Sequence, residues 1–147
     1  DEFINVYKGF YFDYIPETVL YPGVEDIFSY LQGKGIKIAL LTTKGQDQAE
    51  KIIHAFKLEK YFALIMGRRP GIAVKPSGEP LSFIMKELGF TAPETMMIGD
   101  SELDIQCGKN AGAATAGCLY GYRTREILER EAPDYIIGSI TELKDIL

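Results

Sequence analysis

The sequence predicts an α/β fold, a largely parallel sheet with helices on both faces. Short apolar runs of strand length alternate along the chain with longer segments of helical period, the pattern of repeated βαβ units. The runs Lys37–Leu41, Phe62–Met66, Thr95–Ile98 and Ala113–Gly117 are almost continuously apolar rather than alternating, as in strands buried on both faces. Predicted helices stop at Gly33, Gly89 and Gly112, the residue that most readily takes the left-handed conformation closing a helix.

Each element follows from its local pattern. Phe3, Val6, Phe10 and Tyr14 have helical spacing, so an amphipathic helix is predicted over residues 3–14, although Gly9 weakens it and Tyr11-Phe12 suit a strand. Ile15 to Pro22 reads as a connector punctuated by Pro16 and Pro22. Val24, Ile27, Phe28 and Leu31 line one face of a helix over Val24–Gln32. The strand Lys37–Leu41 leads into a loop, Thr42-Thr43-Lys44-Gly45, and a helix over Asp47–Phe56 with Ala49, Ile52, Ile53 and Phe56 inward. The strand Phe62–Met66 is followed by a loop over Gly67–Val74, then Lys75-Pro76-Ser77-Gly78 and a helix over Pro80–Leu88. After Thr95–Ile98 come a helix over Leu103–Ala111, a strand over Ala113–Gly117 and a loop over Cys118–Tyr122 that contains Gly121. A helix over Thr124–Glu131 that Thr124 can cap, a strand at Tyr135–Ile137 and a terminal helix over Ile140–Leu147 complete the chain.

Composition narrows the functional classes. A chain of 147 residues, 46% hydrophobic and 25% charged, suits one domain with a sizeable core. The net charge of −5 and scattered basic residues, with only Arg68 and Arg69 adjacent, argue against a nucleic-acid surface. No apolar run reaches membrane-spanning length. The acidic, aromatic start does not resemble a cleavable leader. Cys107 and Cys118 fit buried reduced thiols in a cytoplasmic protein better than a disulfide or a metal site.

In parallel α/β sheets ligands bind beyond the carboxyl ends of the strands. Three such ends, or the loops after them, carry polar chemistry: Thr42-Thr43-Lys44, Lys75 and Gly99-Asp100, with Asp104 four residues beyond Asp100. Asp100, supported by Asp104, suits a hard divalent cation such as Mg²⁺. Lys75 suits neutralisation of a transferring phosphoryl group. Thr42 and nearby N–H groups suit phosphate oxygens at a helix N-terminus. Such a set fits phosphoryl transfer, which depends on positioning and electrostatics. Each part also has a plainer reading. Asp100 and Ser101 can cap the next helix, Thr42 and Thr43 can do the same for theirs, and an isolated lysine is usually a surface residue. His54 reads as structural or exposed, and Arg68-Arg69 as a solvated loop rather than a grip on an anionic substrate.

Together these residues resemble the haloacid dehalogenase superfamily of hydrolases, from about Tyr21 onward. Leu40-Leu41-Thr42-Thr43-Lys44 is similar to the family's second motif, Lys75-Pro76 to the third, and Gly99-Asp100-Ser101 through Asp104 to the fourth. Tyr21-Pro22-Gly23-Val24, Lys109-Asn110-Ala111-Gly112 and Ala132-Pro133-Asp134-Tyr135-Ile136 resemble the phosphoglycolate phosphatase-like and pyrophosphatase branch. The resemblance implies a three-layer α/β/α Rossmann-like core and a Mg²⁺-dependent phosphatase acting on a small phosphate monoester through an aspartyl-phosphate. Phosphoglycolate is the first expectation; pyrophosphatase, phosphoglucomutase or dehalogenase chemistry is the alternative within enzymes. It further implies that Thr42 and Thr43 contact substrate, with Thr42 on the phosphoryl oxygen. Lys75 would neutralise nucleophile and phosphate, Asp100 would ligate Mg²⁺, and Asp104 would assist directly or through water and Lys75. Thr43 stands where this branch often has Asn, and Ser77-Gly78 replaces the commoner continuation after Lys-Pro.

One departure is larger. The family opens with a strand ending in Asp-x-Asp, and no Asp-x-Asp occurs in these 147 residues. Residues 1–18 instead resemble the last cap helix and its return linker, leaving 19–147 as an incomplete core that lacks the first, central strand and most of the helical cap. Such a core would expose two rows of unpaired backbone groups between Lys37–Leu41 and Thr95–Ile98. The expectation is a slot filled by a second chain, by rearranged residues near 3–14, or by direct pairing of the flanking strands. The non-enzymatic alternative is a degenerate domain that binds phosphate, metal or a partner.

Overall fold

The computed structural model describes residues 20–147 and the backbone of residues 4–7. Six parallel strands form one sheet in the order β3-β2-β1-β4-β5-β6. They are β1 (Ile4–Tyr7), β2 (Lys37–Gly45), β3 (Phe62–Arg68), β4 (Thr95–Gly99), β5 (Ala114–Cys118) and β6 (Tyr135–Ile137). The helices are α1 (Val24–Gly33), α2 (Gln46–Ala55), α3 (Glu79–Leu88), α4 (Glu102–Asn110), α5 (Arg125–Arg130) and α6 (Leu143–Ile146). The sequence-predicted strands and helices from Val24 onward recur with ends shifted by a few residues.

Alternate residues of the buried strands feed opposite faces, as the pleat requires. Ile38, Leu40, Met96 and Ile98 pack with α1, α2 and Leu143 of α6. Ala39, Leu41, Met66 and Met97 pack with Leu81, Ile84 and Met85 of α3 and Cys107 of α4. Among the described residues no helix is long and apolar enough to cross a membrane.

Two expectations are corrected. The central strand is not missing: β1 lies between β2 and β4, with Ile4 opposite Lys37 and Thr95, and Tyr7 opposite Leu40 and Ile98. Residues 4–7 therefore form a strand where a helix was predicted, and the slot is filled by one of the three routes expected, residues from near 3–14. The reason is tertiary. Two flanking strands offer rows of backbone donors and acceptors that must be paired, and Ile, Val and Tyr are residues that strands favour, so ladder pairing overrides a weak helical period. The rest of that predicted helix, residues 8–14, and the connector as far as residue 19 lie outside the described residues.

The second correction concerns Thr42–Gly45, predicted as loop and found in β2. Leu41 pairs with Met66 and Gly45 with Arg68, so four steps along β2 oppose two along β3. This bulge carries the end of β2 out of flat register, a device that re-aims side chains at sheet ends.

Candidate active site

Strands β2 and β4 end on the same edge of the sheet and deliver Thr42 and Asp100 there, while Lys75 arrives on the loop between β3 and α3. The plainer reading of Lys75 as a surface lysine does not hold: its side chain is buried, as is that of Asp104. Lys75 Nζ donates to Asp104 Oδ1 at 2.6 Å and reaches Leu41 O, the residue before Thr42, at 3.5 Å. Lys75 and Thr42 line one crevice of about 10 Å³ with Leu41, Gly67, Val74 and Pro80, room for about one water. The Lys75–Pro76 peptide is cis.

Asp104 joins three parts of the site. Its Oδ1 takes the Lys75 ammonium, while Oδ2 accepts from Asp100 N at 3.1 Å, Ser101 N at 3.1 Å and Ser101 Oγ at 2.9 Å. Ser101 is the N-cap of α4 and Asp104 its third residue, the reciprocal arrangement of a capping box. The plain capping reading thus holds for Ser101, with Asp104 rather than Asp100 as the second member of the box, and the same carboxylate also compensates a buried cation. Gly99 makes this possible, because a Cβ there would collide with the Asp104 side chain.

Asp100 does not cap the helix. Its Oδ2 accepts from Tyr122 N at 3.3 Å, and the backbone of Gly121 lies so close that a Cβ at that position would collide with the carboxylate. Tyr21 stands beside it, its ring edge-on to Tyr120 at 4.9 Å between centroids. Partial burial, then the charge of Asp100, raises the Tyr21 phenol above its ordinary pKa of 10.0, so the hydroxyl keeps its proton. Thr42 is nearly buried, and its Oγ1 accepts from Lys44 N at 3.2 Å. It does not cap α2, whose N-cap is Gly45. Thr43 is half-buried on the same bulge.

The structure thus gathers Thr42, Lys75, Asp104 and Asp100 on one edge of the sheet. Sequence reasoning missed the supports: Gly121 and Tyr122 against Asp100, Arg123 on Glu102 at 2.8 Å, and Asn110, whose Nδ2 donates to Pro76 O at 2.9 Å. Of these only the glycine of the 118–122 loop and the Lys109–Gly112 segment had left a signal. Arg69 is half-buried and held rather than simply solvated. Its Nε and NH2 donate to Gln46 Oε1 and Ile65 O, both at 3.2 Å, and it lies over the Phe83 ring. Arg68 is exposed, as expected of the pair, and so is His54, which meets Glu59 at 2.8 Å. Both cysteines are buried and free. A shallow groove of about 790 Å³ between α2 and the β3 edge has none of the predicted site residues in its lining.

The donor set can be tested against a metal. Among the described residues no group of three or more His, Cys, Asp or Glu converges. Asp100 stands buried at the tip of β4, with Oδ2 accepting from the Tyr122 N–H. This suits Mg²⁺, which is commonly held by one or two carboxylates together with substrate phosphate.

Comparison with known proteins places these features. Residues 1–118 match the family model for haloacid dehalogenase-like hydrolases. Pyrophosphatase PpaX of Halalkalibacterium halodurans is 38% identical over 127 residues, covering 86% of this chain and 59% of the relative. Phosphoglycolate phosphatase of Escherichia coli K12 is 33% identical over 126 residues, covering 86% of this chain and 50% of the relative. The chain therefore spans between half and three-fifths of the curated relatives it matches. A haloacid dehalogenase-like hydrolase structure from Streptococcus pneumoniae superposes with a TM-score of 0.82 at 20% identity, over 90% of this chain and 61% of that one, and shows the shared fold. With two-thirds or more of its length under the family model and the second, third and fourth motifs brought to one sheet edge, the chain belongs to the haloacid dehalogenase-like hydrolases.

Proposed function

We propose that this chain carries the phosphate- and metal-handling part of a Mg²⁺-dependent phosphatase acting on a small phosphate monoester, with phosphoglycolate as first candidate. The observation that carries this reading is the buried Lys75–Asp104 pair set between Thr42 and Asp100. A buried, paired ammonium is costly to build and is not needed to hold a sheet edge together. The relatives' names, a phosphoglycolate phosphatase and a pyrophosphatase, support the same class.

In this reading the Thr42 hydroxyl and the backbone of the β2 bulge receive phosphoryl oxygens, with Thr43 alongside. Lys75 neutralises the phosphoryl group and the attacking carboxylate. Asp104 acts through Lys75 rather than on the metal, because its Oδ1 is turned to the ammonium and its Oδ2 to the Asp100–Ser101 backbone. Asp100 would hold the Mg²⁺, which supplies charge neutralisation and in-line orientation of the phosphate when bound. The family's route runs through a covalent aspartyl-phosphate. With no Asp-x-Asp in the 147 residues, this chain alone is expected to bind Mg²⁺ and phosphate but not to turn over.

The test has two arms. A melting-temperature rise on adding Mg²⁺ with inorganic phosphate, absent in Asp100→Asn, supports the site, and no rise in the parent sinks it. Turnover of p-nitrophenyl phosphate or phosphoglycolate by these residues alone would refute the missing-nucleophile argument.

A further inference from the structure

The loop from Leu119 to Arg123 joins β5 to α5 and passes directly over Asp100. Its start is tied by Leu119 N to Ile137 O at 2.9 Å. Its middle touches the carboxylate twice, through the Tyr122 N–H on Oδ2 and through the close approach of Gly121. Between these contacts and the cap that Thr124 supplies to α5, one side chain ties the loop to the helix that follows Asp100. Arg123 makes a two-point contact with Glu102, Nε to Oε2 at 2.8 Å and NH2 to Oε1 at 3.3 Å. Glu102 is the first residue of α4 and lies two positions after Asp100.

We propose that the Glu102–Arg123 ion pair is a positioning latch for Asp100. It pins the Leu119–Arg123 loop against the strand tip and so fixes the orientation of the carboxylate that would take the cation. The proposal rests on the reading of Asp100 as the Mg²⁺ ligand. Residues that orient a metal ligand from outside the coordination sphere typically change affinity about 10–100-fold when removed. Both partners are partly exposed, with side-chain accessibilities of 40% and 30%, and such pairs stabilise a fold little. The latch is therefore expected to show in the site and not in global stability.

The sign of the effect separates a latch from simple charge. Arg123 lies within electrostatic reach of both Asp100 and Asp104. Acting only through space, its positive charge would repel a cation, and its removal would tighten Mg²⁺ binding. Acting as a latch, its removal loosens Asp100 and weakens binding.

Arg123→Ala, Arg123→Lys and the exchanged pair Glu102→Arg with Arg123→Glu are compared with the parent by amide hydrogen exchange of Gly121 and Tyr122, Mg²⁺ titration calorimetry and metal-free melting. The latch predicts that Arg123→Ala loses Tyr122 amide protection and binds Mg²⁺ about tenfold more weakly, with its metal-free melting temperature unchanged. The exchanged pair should restore both, and Arg123→Lys, which cannot make the two-point contact, should fall between. Unchanged Tyr122 protection, or tighter Mg²⁺ binding, in Arg123→Ala overturns the latch. A parent chain that binds no Mg²⁺ overturns the cation reading of Asp100, while the exchange data still decide whether the pair holds the loop.

Discussion

Asp104→Asn is the sharpest probe of the site, because it preserves shape and changes only charge and proton inventory. One oxygen of the carboxylate faces the Lys75 ammonium at 2.6 Å, and the other accepts three donors from Asp100 and Ser101. An amide offers one oxygen and one NH2 group. If its oxygen faces Lys75, the NH2 points at the Asp100 and Ser101 N–H groups. If its oxygen faces those groups, the NH2 points at an ammonium. Neither orientation satisfies both sides, and in both the Lys75 charge stays buried without a counter-charge. Breaking one side of a fully buried pair costs about 3–5 kcal/mol. For a chain of this size that corresponds to a fall in Tm of roughly 6–20 °C. Lys75→Met should cost less, since Asp104 keeps the donors on Oδ2. The double variant should recover at least about 1 kcal/mol relative to the sum of the single changes. Urea and thermal unfolding followed by circular dichroism read all three. An Asp104→Asn chain melting within about 2 °C of the parent, less than 1 kcal/mol would produce, shows that the pair is not a desolvated charge pair and removes the basis for its proposed role.

Three further outcomes follow from single residues. Gly99→Ala drives a methyl into the Asp104 side chain and should cost about 1–3 kcal/mol as an overpacked site; a neutral effect in urea unfolding would contradict the described strand tip. Gln46→Ala removes the acceptor of Gly67 N at 2.7 Å, leaving that β3 amide opposite the bulge without it at about 1–3 kcal/mol, while Ile65 O keeps its bond from Arg69; urea unfolding again reads the loss. Burial pushes the Cys107 thiol up to about 11 and Cys118 up to about 12. From pH 9 upward the unfolded chain releases these protons while the native chain keeps them, so stability is full below pH 9 and falls as pH rises, by up to about 1.4 kcal/mol per unit per thiol. A Cys107→Ala, Cys118→Ala variant should lose stability less steeply over pH 9–11, and native chain should resist iodoacetamide at pH 8; equal slopes or rapid labelling would contradict the burial.

How much was legible in the sequence depended on the range of the interaction that decides each element. The helices over Val24–Gly33 and Glu79–Leu88 were readable because their buried faces and their ends are local signals; Gly89, at φ 78°, closes the second. Residues 4–7 were misread because their partners lie more than thirty residues away on β2 and about ninety away on β4, and a four-residue window holds no trace of a slot between them. Thr42, Lys75, Asp100 and Asp104 were nameable from their types and order. The different contacts of the two acids were not, since they depend on Gly99 and Gly121 letting a side chain and a backbone approach. Arg69 was placed in solvent because the Phe83 ring and the Gln46 amide that hold it come from other elements.

The precision of the site traces to one helix. At its N-terminus α4 is capped through Asp104, which in the same stroke orients the Asp100 backbone and compensates Lys75. At its C-terminus Asn110 donates to Pro76 O, and Gly78 approaches the Asn110–Ala111 peptide so closely that a Cβ there would lie 2.6 Å from Ala111 N. The Lys75 loop is thus fastened to both ends of a nine-residue helix. That accounts physically for the Lys109–Gly112 segment, whose glycine takes φ 77° beyond the helix end. Phosphoryl-transfer sites work by dipoles and charges set in place before substrate arrives, so that none must reorganise during reaction. Here the ammonium, the acid that holds it and the acid at the strand tip are held mainly by contacts within residues 75–123, with Leu41 O also in reach of Lys75. In the proposed reading these charges are therefore in place before a substrate phosphate arrives.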